Sequence, residues 1–306
     1  MKKLLPPLFL LVNFIVPLGG CHDKMPLEVI SSQPADDLEV ASLQPSIETN
    51  LSKSTVDTTG VLNTEQSKYF ATMFVSGVKY DVGSVRQTVS YSSVAFSDKN
   101  HPVELDGRKL GFRGIDLGRV QLNGMDMIGV QRYVHLFSFP IPGGRDTAVG
   151  PLYVLANRNG RDAKDFNFHG NSKFQWDVSG GIPISPFSVA IQTPDEITIT
   201  SPRSTSTISK NEDLRVQWIG NTESFRIVIS SLRALDIQPI LQINLKKLDG
   251  DITIPAKILG LLPTDRFRTF LFSFISSRTG EYEVSAFSEK VFVSASSVHD
   301  VVLTLQ

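Results

Sequence analysis

The sequence predicts an all-β protein with two tandem β-sandwich domains, preceded by a signal peptide and a flexible tether. From about residue 66, short runs rich in β-branched and aromatic residues recur about every ten residues, separated by Gly, Asn, Asp and Pro. We find no apolar pattern with the period of a three-turn helix in the first of these domains. The strand pattern starts again near residue 195, and 306 residues are enough for about two domains.

The N-terminus has the pattern of a secretory signal peptide. Lys2 and Lys3 precede an almost entirely apolar run from Leu4 to Leu18. This run of about 15 residues is shorter than the ~20 residues needed to cross a bilayer core. Its length and its basic start favour a signal peptide over 1–20 rather than a transmembrane helix.

Cys21 is the only cysteine in the chain, and it directly follows this apolar run. The residues Leu18-Gly19-Gly20-Cys21 resemble the lipobox of bacterial lipoproteins, which is a branched apolar residue, two small residues and a cysteine. The resemblance implies a diacylglyceryl group on the thiol of Cys21 and cleavage just before it. The alternative is a buried or incidental cysteine behind an uncleaved anchor.

Residues 21–65 are predicted to form a flexible tether. They contain no Phe, Trp or Tyr and are rich in Ser, Thr, Asp, Glu and Pro. Such a segment cannot bury enough apolar area to offset the entropy of ordering it. The alternative is a short helix or strand that docks on the first domain, because LEVISS and VASLQ alternate weakly.

The first predicted domain spans 66–196 and contains one strong hairpin signal. Val120 and Leu122 share a face, and Asn123-Gly124 follows them. Both residues readily adopt positive φ, as a type I′ turn requires. The second arm is expected to run from Met127 to Phe139, with apolar residues at alternate positions.

The second predicted domain spans 197–306 and resembles immunoglobulin-like or fibronectin-like modules of cell-surface proteins. The resemblance rests on its seven or eight strands and on the opening ITSP followed by alternating Leu214, Val216 and Trp218. It implies a core position for Trp218, although the chain has no disulfide on which this ring could pack. PAKILGLLP predicts one or two helical turns, with Pro255 in the first turn and Gly260 or Pro263 at the end.

Residues 267–276 are apolar on both faces, which predicts a central strand buried on both sides. The alternative is an aromatic face left exposed for a partner.

Composition and motifs exclude several functions. Without residues 1–20 the chain has 28 basic and 31 acidic residues, a net charge of −3, so we expect no nucleic-acid binding. We expect no metal site and no cofactor, because no histidine pair has ligand spacing and no nucleotide-binding glycine motif is present. We expect no catalytic residue, although Asp116 and Asp126 flank the first hairpin and could form a carboxylate pair.

Two long polar loops of the first domain hold the candidate binding residues. The loops are IPGGRDTAVGP and NRNGRDAKDFNFHGN, and the candidates are Arg145, Asp146, Arg158, Arg161, Asp162 and His169. Rigid β scaffolds commonly present binding residues on such loops. The alternative is a solvated loop with no binding role.

The sequence therefore predicts a lipid-anchored protein of a bacterial cell envelope with a non-catalytic binding or scaffolding role toward protein or glycan. The membrane is a partner through the lipid on Cys21. His22 is not the aspartate that retains some lipoproteins at the inner membrane, which favours an outer membrane where the cell has one. The alternatives are an envelope hydrolase acting on carbohydrate or peptide, and a structural subunit of an envelope assembly.

Overall fold

The computed structural model describes residues 37–43, 69–82, 85–105, 108–136, 145–157, 166–181, 184–233, 236–246, 248–284 and 290–306. Strands dominate these ranges, which confirms the all-β prediction. The elements are β1 (Leu38–Ser42), β2 (Ala71–Val82), β3 (Val85–Leu105), β4 (Arg108–Gly114), β5 (Val120–Leu122), β6 (Met125–Asp126), β7 (Ile128–Leu136), β8 (Arg145–Asn157), β9 (Lys173–Val178), β10 (Phe187–Gln192), β11 (Thr198–Ser201), β12 (Thr207–Ile208), β13 (Leu214–Ile219), β14 (Phe225–Arg233), β15 (Asp236–Leu245), β16 (Asp251–Ile254), α1 (Ala256–Leu259), β17 (Thr269–Glu283) and β18 (Lys290–Leu305).

The strands form one large sheet and two small ones. The large sheet has eleven strands in the order β1-β15-β14-β17-β18-β2-β3-β8-β7, with β12 paired to β18 and β4 paired to β3. A four-stranded sheet has the order β10-β9-β5-β6, and a three-stranded sheet has the order β11-β13-β16.

The two small sheets pack against the same face of the large sheet. One core lies under the four-stranded sheet and includes Trp176, and the other lies under the three-stranded sheet and includes Trp218. On β18, Val293 belongs to the first core and Leu303 belongs to the second. Residues separated by an even number of positions in a regular strand point to the same face. Both cores therefore share the β17–β18 hairpin.

The large sheet continues across the predicted boundary at residue 196. β18 lies in the second predicted range, yet it pairs in parallel with β2 of the first range, from Val291 opposite Ala71 to Val301 opposite Asp81. The ranges 66–196 and 197–306 remain a prediction about domains, whereas the hydrogen-bonded sheet joins them.

Part of the predicted tether is a strand. Residues 38–42 form β1, which pairs antiparallel with β15, and Val40 is buried in the second core. The prediction of a flexible tether is therefore wrong at this position, because the alternating LEVAS segment has an apolar side chain to bury and a free sheet edge to join. This strand docks on the second predicted range rather than on the first. The signal peptide, Cys21 and the other tether residues lie outside the described residues.

Several local predictions are confirmed. Asn123 and Gly124 have φ values of 47° and 78°, and they connect β5 to β6. The predicted helical turn is present as α1, with Pro255 as its N-cap and Gly260 as its C-cap. In β17, Phe272 and Ile275 are both buried although they point to opposite faces, so the alternative of an exposed aromatic face is wrong.

The second arm of the first hairpin differs from the prediction. β6 has only two residues, after which the chain leaves the four-stranded sheet and enters β7 of the large sheet. The alternating apolar residues Ile128 and Val130 are exposed there, at 60% and 47% of their surfaces. β7 pairs with β8 at the end of the sheet order, and its residues 128–131, which alternate between the two faces, are all exposed.

Candidate binding site on the four-stranded sheet

Of the sequence-predicted binding residues, the structure describes Arg145, Asp146 and His169, and it does not bring these three together in one loop site. Arg145 and Asp146 open strand β8, opposite Leu136 and His135, rather than lying in a loop. His169 is exposed, and its carbonyl accepts a hydrogen bond from Thr193 Oγ1 at 2.7 Å. Arg158, Arg161 and Asp162 lie outside the described residues.

A row of polar side chains crosses the outward face of the four-stranded sheet. Asp126, Gln121, Asp177 and Ser188 lie directly opposite one another on β6, β5, β9 and β10. Opposite residues on neighbouring strands point to the same face. Three interstrand spacings make this row about 14 Å long.

The row exists because these strands alternate strictly. In β9 the side chains of Phe174, Trp176 and Val178 are buried, so the intervening Gln175 and Asp177 point outward. β10 and β5 follow the same rule, with buried Val189 and Leu122 beneath the outward residues. A compact apolar layer therefore supports the polar row from below.

The carboxylate of Asp177 is the centre of a hydrogen-bond network. Its Oδ1 accepts from Gln175 Nε2 at 2.8 Å and from Ser188 Oγ at 2.5 Å. Nearby, Gln121 Nε2 donates to the carbonyl of Gly124 at 3.0 Å. These bonds fix the side chains before any ligand arrives, which lowers the entropy cost of binding.

A groove of about 360 Å³ lies along this row. The residues that line it include the polar Gln121, Asp177 and Ser188, together with Arg119 and Pro186. Phe187 is half-buried, and its ring makes an edge-on contact with Phe96 of the core at 6.3 Å. Phe187 lies opposite Val178 and shares the inward face of β10 with Val189, so the outward face at the groove is formed mainly by hydrogen-bonding groups.

Arg119 and Asp126 form a two-point ion pair at one end of the row. Arg119 Nε lies 2.6 Å from Asp126 Oδ1, and a terminal guanidinium nitrogen lies 2.9 Å from Oδ2. The hydrogen bond from Arg119 lowers the pKa of Asp126, and the same bond raises the pKa of Arg119. Both groups are exposed, so water screens the pair and its contribution to stability is small.

The loop that leads into β5 is fixed by Tyr153 of the large sheet. The Tyr153 hydroxyl donates to Asp116 Oδ1 at 2.5 Å and accepts from the backbone N–H of Leu117 at 3.0 Å. The hydrogen bond from Tyr153 is the main cause that lowers the pKa of Asp116. Burial, followed by the hydrogen bond to Asp116, raises the pKa of Tyr153 above its ordinary value, so the hydroxyl keeps its proton.

Asp116 and Asp126 do not act as a pair. Each carboxylate binds a different partner, Tyr153 for Asp116 and Arg119 for Asp126. The pKa values of both carboxyls are lowered. A general acid for glycoside hydrolysis needs a raised pKa, so neither group suits that role.

Two features are absent from the described ranges. No group of three His, Cys, Asp or Glu side chains in them is arranged to hold a metal ion. The described part of the chain also has no helix with the length and apolar character needed to span a membrane.

Compared with known proteins, the chain matches no family model, and it matches no curated protein.

Proposed function

We propose that this protein is anchored in a bacterial cell envelope by a lipid on Cys21 and binds a neutral glycan across the four-stranded sheet. The observation that carries the binding role is the row Asp126, Gln121, Asp177 and Ser188, of which the last three residues line the groove. The anchor is supported by the lipobox-like sequence at Leu18–Cys21.

The chemistry of the row fits a polyhydroxylated ligand. Sugar hydroxyls both donate and accept hydrogen bonds, and the row offers a carboxylate acceptor beside an amide and a hydroxyl that can do either. Pro186 is exposed and lines the groove, so its ring offers an apolar surface beside the polar row. A length of about 14 Å suits an oligosaccharide of a few units rather than a single sugar.

The local charge favours a neutral glycan over an anionic one. Arg119 is already paired with Asp126, which leaves the carboxylate of Asp177 as the uncompensated charge of the groove. A phosphorylated or uronic-acid sugar would be repelled by this carboxylate, since like charges at short range oppose binding.

A glycan array probed with the full chain tests the binding role. We expect neutral oligosaccharides to bind, and Asp177→Ala to weaken the best of them about 10- to 100-fold, as expected for loss of hydrogen bonds to a charged group. Gln192→Ala is the matched control, because Gln192 is exposed at the far end of β10 and lies opposite Lys173. Failure to bind any glycan, or equal losses in both variants, would contradict the proposal.

Metabolic labelling with a palmitate analogue tests the anchor. We expect the wild-type protein to incorporate the label and Cys21→Ser to lose it, because Cys21 is the only thiol in the chain. Absence of label on the wild-type protein would contradict a lipid on this residue. Separation of inner and outer membranes then tests the expected location at the outer membrane.

A second candidate role is a structural subunit of an envelope assembly, favoured by the edge strand β7. No described strand pairs with the outer edge of β7, and Ile128 and Val130 are largely exposed. Such an edge can accept a strand from another protein. Ile128→Lys with Val130→Lys would then reduce the size of the complex recovered from envelopes, while an unchanged complex would argue against this role.

A further inference from the structure

The segment that enters β11 is held on β18 by two unlike hydrogen bonds. The backbone N–H of Ile197 donates to Ser297 Oγ at 3.0 Å, and that of Ile199 donates to His299 Nδ1 at 2.8 Å. Both isoleucines are buried in the second core. These two bonds attach the start of the three-stranded sheet to the large sheet.

The bond to His299 defines the protonation state of the ring. A backbone N–H can only donate, so Nδ1 must carry a lone pair and no proton. The neutral ring then has its proton on Nε2, which lies 3.6 Å from Asp81 Oδ2. His299 is only 3% exposed, so water cannot readily replace a lost partner.

The charged groups around His299 come from three neighbouring elements. On β2, Asp81 faces Nε2, and Lys79 lies directly opposite His299, where its charge is offset by a 2.9 Å ion pair with Glu196 of the segment that enters β11. On β18 itself, Asp300 is adjacent in sequence, but successive residues of a strand point to opposite faces. Asp81 is thus the charge placed to stabilise a second proton on the ring.

We propose that His299 is an acid-sensitive latch, a contact that releases the Ile199 amide of β11 from β18 when the ring takes up a second proton. The proton from solvent occupies the Nδ1 lone pair, so the Ile199 N–H loses its acceptor and must separate from the ring. The resulting imidazolium keeps a favourable charge interaction with Asp81. Histidine is the side chain that ordinarily titrates between about pH 5 and pH 8, so this is the range over which the release is tested.

The neighbouring hydrogen bond between Ile197 and Ser297 is the internal reference against which the change at Ile199 can be compared. A serine hydroxyl does not titrate in this range, so acid leaves this contact intact. The latch therefore predicts a local change at Ile199 and not a general loosening of the segment. The inference does not depend on what the groove binds.

Amide hydrogen exchange of the full chain, resolved to single residues, tests the latch. After correction for the intrinsic effect of pH, we expect protection at Ile199 to fall about two- to tenfold more than at Ile197 between about pH 7.5 and pH 5, as for loss of one hydrogen bond. Equal changes at the two amides would overturn the proposal.

His299→Asn separates the imidazole from other acid effects. The side-chain oxygen of asparagine can occupy the position of Nδ1 and accept from Ile199, but it does not titrate. We expect this variant to keep its Ile199 protection at about pH 5. Loss of protection in the variant to the same extent as in the wild type would assign the effect to another group and overturn the latch.

Discussion

Replacing Tyr153 with phenylalanine removes one hydroxyl that holds the loop beside the candidate groove. The ring would keep its packing, including its edge-on contact with Phe96 at 5.9 Å. The variant would lose the bond to Asp116 and the bond from the Leu117 N–H. This substitution therefore isolates two hydrogen bonds from the apolar core.

The burial of the two hydrogen-bond partners determines how much the free energy of unfolding is expected to fall. The Leu117 residue is 1% exposed, so its orphaned N–H cannot turn to water and costs about 1–3 kcal/mol. Asp116 is exposed and regains water, so the bond to its carboxylate contributes about 1 kcal/mol. Together these give a decrease of about 2–4 kcal/mol in the free energy of unfolding near neutral pH.

The pH dependence of this loss is a sharper test than its size. The pKa of Asp116 is lowered in the folded state, so the hydrogen bond from Tyr153 to Asp116 stabilises the fold fully above the ordinary carboxyl pKa of about 3.9. This stabilisation is lost as the pH falls through the lower pKa of the folded state. Urea unfolding should therefore show a smaller difference between wild type and Tyr153→Phe below about pH 4.

Tyr282→Phe is the matched control for the lost hydroxyl. Tyr282 is half-buried against the first core, and its hydroxyl has no hydrogen bond with the residues that the structure describes. We expect this control to change the free energy of unfolding by less than about 0.5 kcal/mol. An equal loss in both variants, or a Tyr153→Phe difference that stays constant in acid, would refute the reasoning.

Three further substitutions test the packing of the large sheet, each by urea unfolding. Gly77→Ala should cost about 1–3 kcal/mol, because a Cβ there would lie 2.4 Å from Phe168 Cδ1, whereas Gly129→Ala has its nearest neighbour at 3.6 Å and should be tolerated. Burial raises the pKa of Asp300 to about 7, so the free energy of unfolding of the wild type should fall by about 2 kcal/mol between about pH 5 and pH 8. Asp300→Asn should remove this pH dependence. An equal pH dependence in the wild type and the variant would contradict the assignment to Asp300. Val40→Asp should cost about 2–4 kcal/mol by placing a charge in the second core, and an unchanged midpoint would mean that β1 adds nothing to the sheet.

Features with local causes were predictable from the sequence. The pair Asn123-Gly124 predicts the turn by itself, because both residues tolerate positive φ. Pro255 and Gly260 bracket α1 in the same way. The apolar character of both faces of β17 predicted burial on both sides, since each face must leave water by itself.

Features that depend on pairing between distant strands were not predictable. Nothing near Ala71 in the sequence indicates that Val291 lies beside it, because parallel pairing is set by the whole fold. The row at the groove needs three correct registers at once, although strict alternation in β9 already predicts that Asp177 points outward. Loop length and charge selected Arg145 and Asp146 instead, and these criteria contain no information about which side chains meet.

The prediction of a flexible tether failed at β1 for a related reason. Five residues with one buried valine have too little apolar area to be ordered alone, so composition indicates a tether. The ordering comes from the exposed edge of β15, which pairs with every residue from Leu38 to Ser42. That edge exists only after the sheet has formed.

The parallel pairing of β2 with β18 has a mechanical consequence. Because the two strands run in the same direction, the start of β2 and the end of β18 lie at opposite ends of their shared ladder. A force that pulls the N-terminal side away from the C-terminus therefore shears the whole ladder from Ala71 to Asp81 at once, instead of opening it one bond at a time. In a chain held at Cys21 and pulled through its C-terminal end, the force first reaches β1 on the edge strand β15, and once β1 has detached it loads the β2–β18 ladder in shear.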